Sequence, residues 1–181
     1  MTKKKFFSYF GFFFILIKIL ELSLRILGFG DPLIYKNNNN YFPKANQDLR
    51  RFKGSKVIIN NLGMRSNDEW VNEKKHKKIL FFGDSVTYGG SYIDNNELFT
   101  EKLCILIKNY LCGNYGVNGY KIQNISNRIK NISNKINFNK LIIVVSDNIE
   151  DGKSNFQDFP FYEKFDFKFL RSTTEILNHI L

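Results

Sequence analysis

The chain contains the stretch Ile79-Leu80-Phe81-Phe82-Gly83-Asp84-Ser85-Val86-Thr87-Tyr88-Gly89, which decides its fold. The first four residues are continuously apolar, as is typical of a parallel strand that is buried on both faces. Gly83 ends this run, and small and turn-forming residues follow it. Open α/β sheets bind their ligands beyond the carboxyl ends of the strands. We therefore expect Ser85 to lie at the carboxyl end of a parallel strand, where a nucleophile is accessible to substrate.

Strands and helices alternate along the chain after this stretch. Apolar residues at helical spacing predict a helix over residues 98–111, and a short strand is predicted around residues 114–117. An amphipathic helix is predicted from Ile122 to Ile132, because isoleucines recur there at steps of 3, 4 and 3 residues. The fully apolar run over residues 141–145 favours a strand that is central or buried on both faces. This order predicts right-handed crossovers and an α/β fold, with a parallel sheet and flanking helices.

The composition excludes several classes of function. Hydrophobic residues make up 43% of the 181 residues and aromatic residues 16%, which is too apolar for a disordered chain. The formal net charge of +10 favours anionic partners, but no basic stripe interleaved with aromatic residues is present, so we expect no nucleic-acid binding. The chain has two histidines and no Cys/His spacing typical of zinc, so we expect no metal site, and no motif indicates a cofactor.

The two cysteines, Cys104 and Cys112, fall on the helix predicted over residues 98–111 or at its exit. If both are helical, their Cα atoms lie roughly 12 Å apart, at about 1.5 Å per residue. A disulfide needs about 4.4 to 6.8 Å between Cα atoms. We therefore expect two unpaired cysteines that serve as small core residues.

The amino-terminal segment has the charge pattern of a signal anchor. Residues 1–5 are basic, and residues 6–27 are predominantly apolar but carry Lys18, Glu21 and Arg25 on one helical face. Roughly 22 residues suffice to span a bilayer of about 30 Å, and no small-residue cleavage site follows. We predict an uncleaved transmembrane helix in contact with membrane lipid, a cytoplasmic amino terminus, and a remainder on the extracytoplasmic, periplasmic side. A cleaved signal peptide and an interfacial helix are the alternatives.

Residues 28–40 are rich in asparagine and turn-forming residues and show no periodic apolar signal, and we predict a linker over residues 28–56. Residues 57–181 are then the α/β domain. It opens with a short β-branched run, Val57-Ile58-Ile59, which predicts a strand followed by an Asn/Gly turn. Arg65 follows that turn. Two roles are open to it: contact with an anionic group of a substrate, or a structural ion pair.

Three motifs resemble those of the SGNH/GDSL hydrolase family in its membrane-anchored form. Gly83-Asp84-Ser85 is similar to block I, whose serine attacks the substrate. The stretch Asn61-Leu62-Gly63-Met64-Arg65 is similar to one that precedes the family's catalytic core, and Asn114-Tyr115-Gly116-Val117-Asn118-Gly119-Tyr120 is similar to block II. The resemblance implies an SGNH/flavodoxin-like sheet and a serine esterase or O-acyltransferase that acts on ester-linked acyl groups of carbohydrate or lipid. Ser85 is then the nucleophile, and its own N–H and that of Gly116 are oxyanion donors.

The later blocks depart from the family pattern. Block III of the family ends in Gly-x-Asn-Asp, whereas this chain has Asp147 at the donor position, and Asn148 becomes the donor only with a shift of one residue. The family's Asp-x-x-His is absent. His179 is the candidate base, although Ile176 stands three residues before it. The chain thus resembles a family member shortened before its catalytic base, with an incomplete sheet. The alternatives are a non-catalytic remnant, a membrane-anchored binding protein whose protein partner is unknown, and an interaction module whose Gly-Asp-Ser arises by chance.

Overall fold

Residues 3–30, 33, 35–37, 40–67, 69–70, 77–147, 150–154, 172–173 and 176 are described by the computed structural model. They form a mixed α/β fold around a parallel sheet of three strands, as the sequence predicts for the fold class. The helices and strands in chain order are α1 (Lys3–Ile26), β1 (Tyr35–Asn37), β2 (Tyr41–Pro43), β3 (Gln47–Arg50), β4 (Lys56–Ile59), β5 (Lys77–Phe82), α2 (Ser85–Tyr88), α3 (Phe99–Leu106), β6 (Tyr110–Asn114), α4 (Ile122–Ser133) and β7 (Lys140–Ile143).

Strand β5 is the centre of the sheet, which has the strand order β6-β5-β7. Its apolar residues alternate between two core clusters. Leu80 and Phe82 pack into the larger cluster, whereas Ile79 and Phe81 pack into a second one on the opposite face. All four side chains are at most 2% exposed. The continuous apolar run therefore predicts this strand correctly, because both of its faces are covered.

The prediction for the apolar run over residues 141–145 is wrong in one respect. Strand β7 pairs in parallel with β5 but is an edge strand of the described sheet, not a central one. Leu141 and Ile142 are only half-buried, and Ile143 and Val145 are 47% and 65% exposed. The chain reaches this edge because α4 carries it from β6 to the other side of β5. An apolar composition does not distinguish a central strand from an edge strand.

The two predicted helices differ in how well the sequence marks their ends. The amphipathic helix α4 covers the predicted isoleucines and buries Ile125 and Ile132. Helix α3 ends at Leu106, well before the predicted end at residue 111. The chain turns through Asn109, which has a φ of 71°, and β6 begins at Tyr110. Asparagine tolerates this left-handed conformation better than most residues, which permits the sharp reversal.

This reversal overturns the expectation of two unpaired cysteines. Cys104 on α3 and Cys112 on β6 form a disulfide, with their Cα atoms 5.8 Å apart. The estimate of roughly 12 Å assumed that both residues are helical. Because α3 and β6 run back along each other, residues that are distant on a single helix become neighbours on two elements.

Part of the segment predicted as a linker, residues 28–56, forms strands. It contains β1, β2 and β3; β1 pairs with β2, and β3 pairs with β4 at the start of the next segment, both antiparallel. Tyr35, Tyr41 and Leu49 are buried in the same core cluster as Leu80 and Phe82 of β5. Strands of three and four residues are too short to produce a periodic apolar signal, so the asparagine-rich composition obscured them.

The amino-terminal segment forms a single helix, α1, of 24 residues. It ends in a Schellman motif, in which the N–H of Phe29 bonds to the carbonyl of Leu24 and that of Gly28 bonds to the carbonyl of Arg25, each at 3.0 Å. Gly28 has the positive φ of 92° that this motif requires. No helix in the described ranges is both long enough and apolar enough to cross a membrane.

The charged side chains of α1 have structural partners. The Glu21 carboxylate is 4% exposed and accepts a hydrogen bond of 3.0 Å from Nε of Arg25. It also accepts the backbone N–H groups of Ser172 and Thr173, at 3.1 and 3.0 Å. The Ser172 hydroxyl donates to the carbonyl of Phe29 at 2.9 Å. A carboxylate on the amino-terminal helix therefore holds a segment near the other end of the chain.

Candidate functional site

Ser85 lies where the sequence places it, at the carboxyl end of the central strand. Strand β5 ends at Phe82, and α2 begins at Ser85. The Ser85 side chain is exposed, although Asp84 before it and Thr87 and Tyr88 later in this short helix are buried. A hydroxyl at this position is open to a ligand that lies above the carboxyl edge of the sheet.

Asp84 fixes the turn that presents Ser85. It is the N-cap residue of α2, and its Oδ1 accepts the Val86 N–H at 2.9 Å. Its Oδ2 accepts the Ser146 hydroxyl at 2.5 Å, which joins this turn to the segment after β7. An aspartate that precedes a helix is a preferred N-cap, so the sequence carried a signal for this role. Nothing in the sequence marked Ser146 as its partner.

Two glycines allow the segments around Ser85 to pack closely. A Cβ on Gly83 would lie 2.8 Å from the Val144 carbonyl oxygen and would collide with the Thr87 side chain. A Cβ on Gly116 would lie 2.6 Å from the Thr87 carbonyl carbon and would collide with the Tyr88 backbone nitrogen. Gly116 therefore lies against the backbone of α2, and larger residues are excluded at both positions by fixed main-chain atoms.

The backbone N–H of Gly116 has an internal partner. It donates to Oδ1 of Asn114 at 2.9 Å. The Asn114 side chain in turn donates to the Thr87 carbonyl at 2.6 Å. Asn114 thus connects the end of β6 to α2. Sequence reasoning named Gly116 as the donor and overlooked Asn114, although an asparagine that bonds the backbone two residues later is a common turn pattern. In this arrangement the Gly116 N–H points to a protein oxygen and becomes an oxyanion donor only if that bond opens.

Arg65 secures the loop that follows α2. Its guanidinium is 1% exposed and donates to the carbonyls of Tyr88, Gly90 and Ile93, with distances of 2.9 Å to Tyr88 and 2.6 Å to Ile93. Its Nε donates to Oδ1 of Asn95 at 3.0 Å. Burial lowers the pKa of Arg65, while the nearby Tyr88 and Asp94 oppose this effect. These contacts indicate the structural role, one of the two alternatives proposed, but its hydrogen-bond acceptors here are three backbone carbonyls and an amide rather than a carboxylate.

A second buried arginine lies beside the Gly116 segment. The Arg128 guanidinium of α4 lies 4.1 Å from the Phe42 ring centroid and 4.9 Å from that of Tyr115. Burial lowers the pKa of Arg128 and raises those of Tyr115 and Tyr120, so the phenols stay neutral at physiological pH. These cation–π contacts connect α4 to Phe42 of β2 and to Tyr115, the residue before Gly116, and so help to hold the Gly116 segment in place.

The remaining candidates of the site come from the later part of the chain. Asn148 and His179 both lie outside the described residues, and the part of the chain that is described contains no histidine. Asp147, at the position of the family's donor, is exposed, as are Glu150 and Asp151. Glu150 forms an ion pair with Lys121 at 2.7 Å. Among the described residues no group of His, Cys, Asp and Glu is arranged to hold a metal ion.

No family model matches the sequence, and no curated protein matches it. The resemblance to SGNH/GDSL hydrolases therefore depends on the three motifs and on how the fold arranges them. Of the motif residues, the fold brings two to the same edge of the sheet: Ser85 of block I is the first residue of α2, and Gly116 of block II lies against the backbone of α2.

Proposed function

We propose that the chain is an SGNH-like serine esterase or O-acyltransferase domain in which Ser85 is the nucleophile. The observation that carries the proposal is the position of Ser85, exposed just after the carboxyl end of β5, a strand that is buried on both faces. The turn is stabilised by the Asp84 cap and the loop after it by Arg65. Acyl transfer requires a hydroxyl held in this way on a rigid element.

The substrate class proposed is an ester-linked acyl group on carbohydrate or lipid. The proposal assigns Ser85 N–H, Asn148 and a rearranged Gly116 N–H to the oxyanion, and His179 to the base. One missing oxyanion donor lowers the rate by on the order of 10²- to 10³-fold. Because Gly116 N–H is bonded to Asn114 in this state, we expect slow turnover unless substrate binding opens that bond.

Two observations support a membrane-associated, extracytoplasmic location. Consecutive apolar side chains of α1, from Phe12 to Leu16, are between 47% and 61% exposed, so this part of the helix is apolar around its circumference. Such a surface requires an apolar environment. The disulfide between Cys104 and Cys112 is typical of proteins that fold in an oxidising compartment. We propose that α1 anchors the chain to the membrane and that the α/β domain lies on its periplasmic side.

A second candidate function is non-catalytic binding by a remnant of the same fold. The observation that favours it is the bond from Gly116 N–H to Asn114, which leaves the block II donor engaged within the protein. The third alternative, a Gly-Asp-Ser that arises by chance, expects Ser85 away from a strand end, and its position after β5 speaks against it.

Ester turnover tests the enzymatic proposal. The full chain in a mild non-ionic detergent is incubated with short-chain p-nitrophenyl esters, and the release of nitrophenol is followed. We expect slow hydrolysis above the buffer rate that is lost in Ser85→Ala. Ser126→Ala is the matched control, because Ser126 is an exposed serine of α4, and it should keep the full rate. Equal rates for Ser85→Ala and the unchanged chain would overturn the proposal, and a folded chain with no turnover on any ester would favour the binding protein.

A further inference from the structure

Two contacts hold α3 against β6, and they lie one helical turn apart. Cys104 of α3 is bonded to Cys112 of β6 in the disulfide. Four residues earlier on α3, the Thr100 hydroxyl oxygen accepts a hydrogen bond of 3.4 Å from Nδ2 of Asn114, the last residue of β6. Residues four apart share a face of a helix, and residues two apart share a face of a strand. The disulfide and this hydrogen bond therefore belong to one contact surface between the two elements.

The Asn114 side chain connects this contact surface to the candidate site. Asn114 is 1% exposed, and Thr100 is fully buried. Nδ2 of Asn114 also donates to the Thr87 carbonyl at 2.6 Å, and its Oδ1 accepts the Gly116 N–H at 2.9 Å. An asparagine amide has two donor hydrogens and one acceptor oxygen, so each of them has a partner on a different segment. A movement of α3 away from β6 therefore removes one of the three contacts that orient this side chain.

Helix α3 depends on the disulfide for its attachment to the sheet. It has eight residues, which is too short for a helix to be stable without tertiary contacts. It packs on the smaller of the two core clusters through Leu103 and Cys104. Ile105 and Leu106, in its last turn, are 76% and 79% exposed and so add little to this packing. We therefore expect α3 to separate from β6 more often once the crosslink is cut.

The disulfide is open to a reductant from the side of α3. Cys104 is partly exposed, whereas Cys112 is 5% exposed. A thiolate of a dithiol reductant attacks Sγ of Cys104, and Sγ of Cys112 leaves as a thiolate and takes up a proton. The second thiolate of the reductant then displaces Sγ of Cys104, which also takes up a proton, and the reductant is oxidised to its own disulfide. The new Cys104 thiol has an acceptor in place, because its sulfur lies 3.3 Å from the Tyr110 carbonyl oxygen.

We propose that the disulfide between Cys104 and Cys112 is a redox switch that controls the Gly116 N–H. With the disulfide formed, α3 fixes the Asn114 side chain, whose Oδ1 occupies that N–H. With both cysteines reduced, the Asn114 side chain reorients more often and leaves the N–H free to donate to a ligand oxygen at the carboxyl edge of the sheet. The switch acts on Gly116 and does not depend on Ser85 being a nucleophile.

Hydrogen exchange at single-amide resolution tests this proposal on the full chain in a non-ionic detergent, with and without dithiothreitol. The quantity measured is the exchange rate of the Gly116 amide divided by that of the Tyr115 amide, which bonds to the Phe81 carbonyl at 2.8 Å. We expect reduction to raise this ratio about tenfold, because a local opening exposes the Gly116 amide and not its neighbour. Cys104→Ser with Cys112→Ser should show the same raised ratio and no further response to dithiothreitol.

Two further variants distinguish this switch from a general loss of stability. Thr100→Val keeps the branched shape of the side chain and removes its hydroxyl, so the oxidised variant should already have a raised ratio. Ile132→Ala creates a cavity in the larger core cluster, on the opposite face of the sheet from α3, and should leave the ratio unchanged.

An unchanged ratio after reduction of the disulfide would overturn the proposal. An unchanged ratio in oxidised Thr100→Val would also overturn it, because the disulfide would then not act through the hydrogen bond between Thr100 and Asn114. A ratio that rises as much in Ile132→Ala as in the reduced chain would contradict it too, since the disulfide would then affect Gly116 only through overall stability.

Discussion

The Ser146 hydroxyl donates a hydrogen bond of 2.5 Å to Oδ2 of Asp84 and so connects the segment after β7 to the cap of α2. The same carboxylate holds the Val86 N–H through its other oxygen. Asp84 is therefore the point at which the segment in the position of block III meets block I. The turn that carries Ser85 depends on this carboxylate having both partners.

Replacing Asp84 should loosen the turn that carries Ser85. Asp84→Ala removes the N-cap acceptor of α2 and leaves the Ser146 hydroxyl without this partner, so we expect a loss of about 1 to 2 kcal/mol in unfolding free energy. Thermal unfolding followed by circular dichroism measures it. Asp147→Ala, at an exposed aspartate next to Ser146, should change stability by less than about 0.5 kcal/mol. Equal losses of unfolding free energy in Asp84→Ala and Asp147→Ala would argue against a stabilising N-cap at Asp84.

Arg65 should not be replaceable by lysine. An ammonium group lacks the planar fork that reaches the Tyr88, Gly90 and Ile93 carbonyls together, so Arg65→Lys should destabilise the chain by on the order of 3 kcal/mol. Hydrogen exchange should speed up in the loop over residues 88–93. Arg50→Lys, at an exposed arginine, is the comparison and should leave that loop unchanged. If Arg65→Lys were as stable as the unchanged chain and its loop stayed protected from exchange, the Arg65 hydrogen bonds to the loop carbonyls would be dispensable.

The disulfide should contribute measurably to stability. Closing the short loop between Cys104 and Cys112 removes unfolded-state entropy worth about 2 to 3 kcal/mol. Cys104→Ser with Cys112→Ser, or treatment with a reductant, should lower the unfolding temperature, and the reductant should have no further effect on the double variant. Chain purified from the periplasm should lack free thiols. Two titratable thiols in that material would contradict both the pairing and the proposed compartment.

The contact between Glu21 and the segment containing Ser172 and Thr173 should control the exchange of their amides. Glu21→Gln weakens an acceptor of two backbone N–H groups, and bonds to a charged group are worth about 1.5 to 3 kcal/mol. We expect hydrogen exchange at these two amides to accelerate about tenfold or more. Glu150→Gln removes an exposed carboxylate from a different ion pair and should leave both amides unaffected. If exchange at the Ser172 and Thr173 amides were unaltered in Glu21→Gln, the Glu21 carboxylate would not be what protects them.

The sequence predicted features that depend on local pattern. The run from Ile79 to Phe82 marked β5 because every position in it is buried, and the isoleucine spacing marked α4 because one face of that helix meets the core. The position of Ser85 followed from the first of these. Each of these predictions needs only the order of apolar residues along a single element.

The features that the sequence did not predict depend on how distant elements meet. The pairing of Cys104 with Cys112 required knowing that α3 ends early and that the chain reverses at Asn109. The bond from Ser146 to Asp84 required knowing that β7 pairs with β5. The bond from Gly116 N–H to the Asn114 side chain depends on the geometry of the turn after β6, which the residue spacing favours but does not determine.

Covalent labelling of the folded full chain with a fluorophosphonate probe tests the central claim most directly. The claim is that Ser85 displays a reactive hydroxyl at the carboxyl end of β5. Intact-mass measurement and peptide mapping should show one probe per chain, on the peptide that contains Ser85. Labelling should be lost in Ser85→Ala and retained in Ser126→Ala. A folded chain that takes up no probe, or takes it up equally when Ser85 is alanine, would contradict the assignment of this serine as a nucleophile.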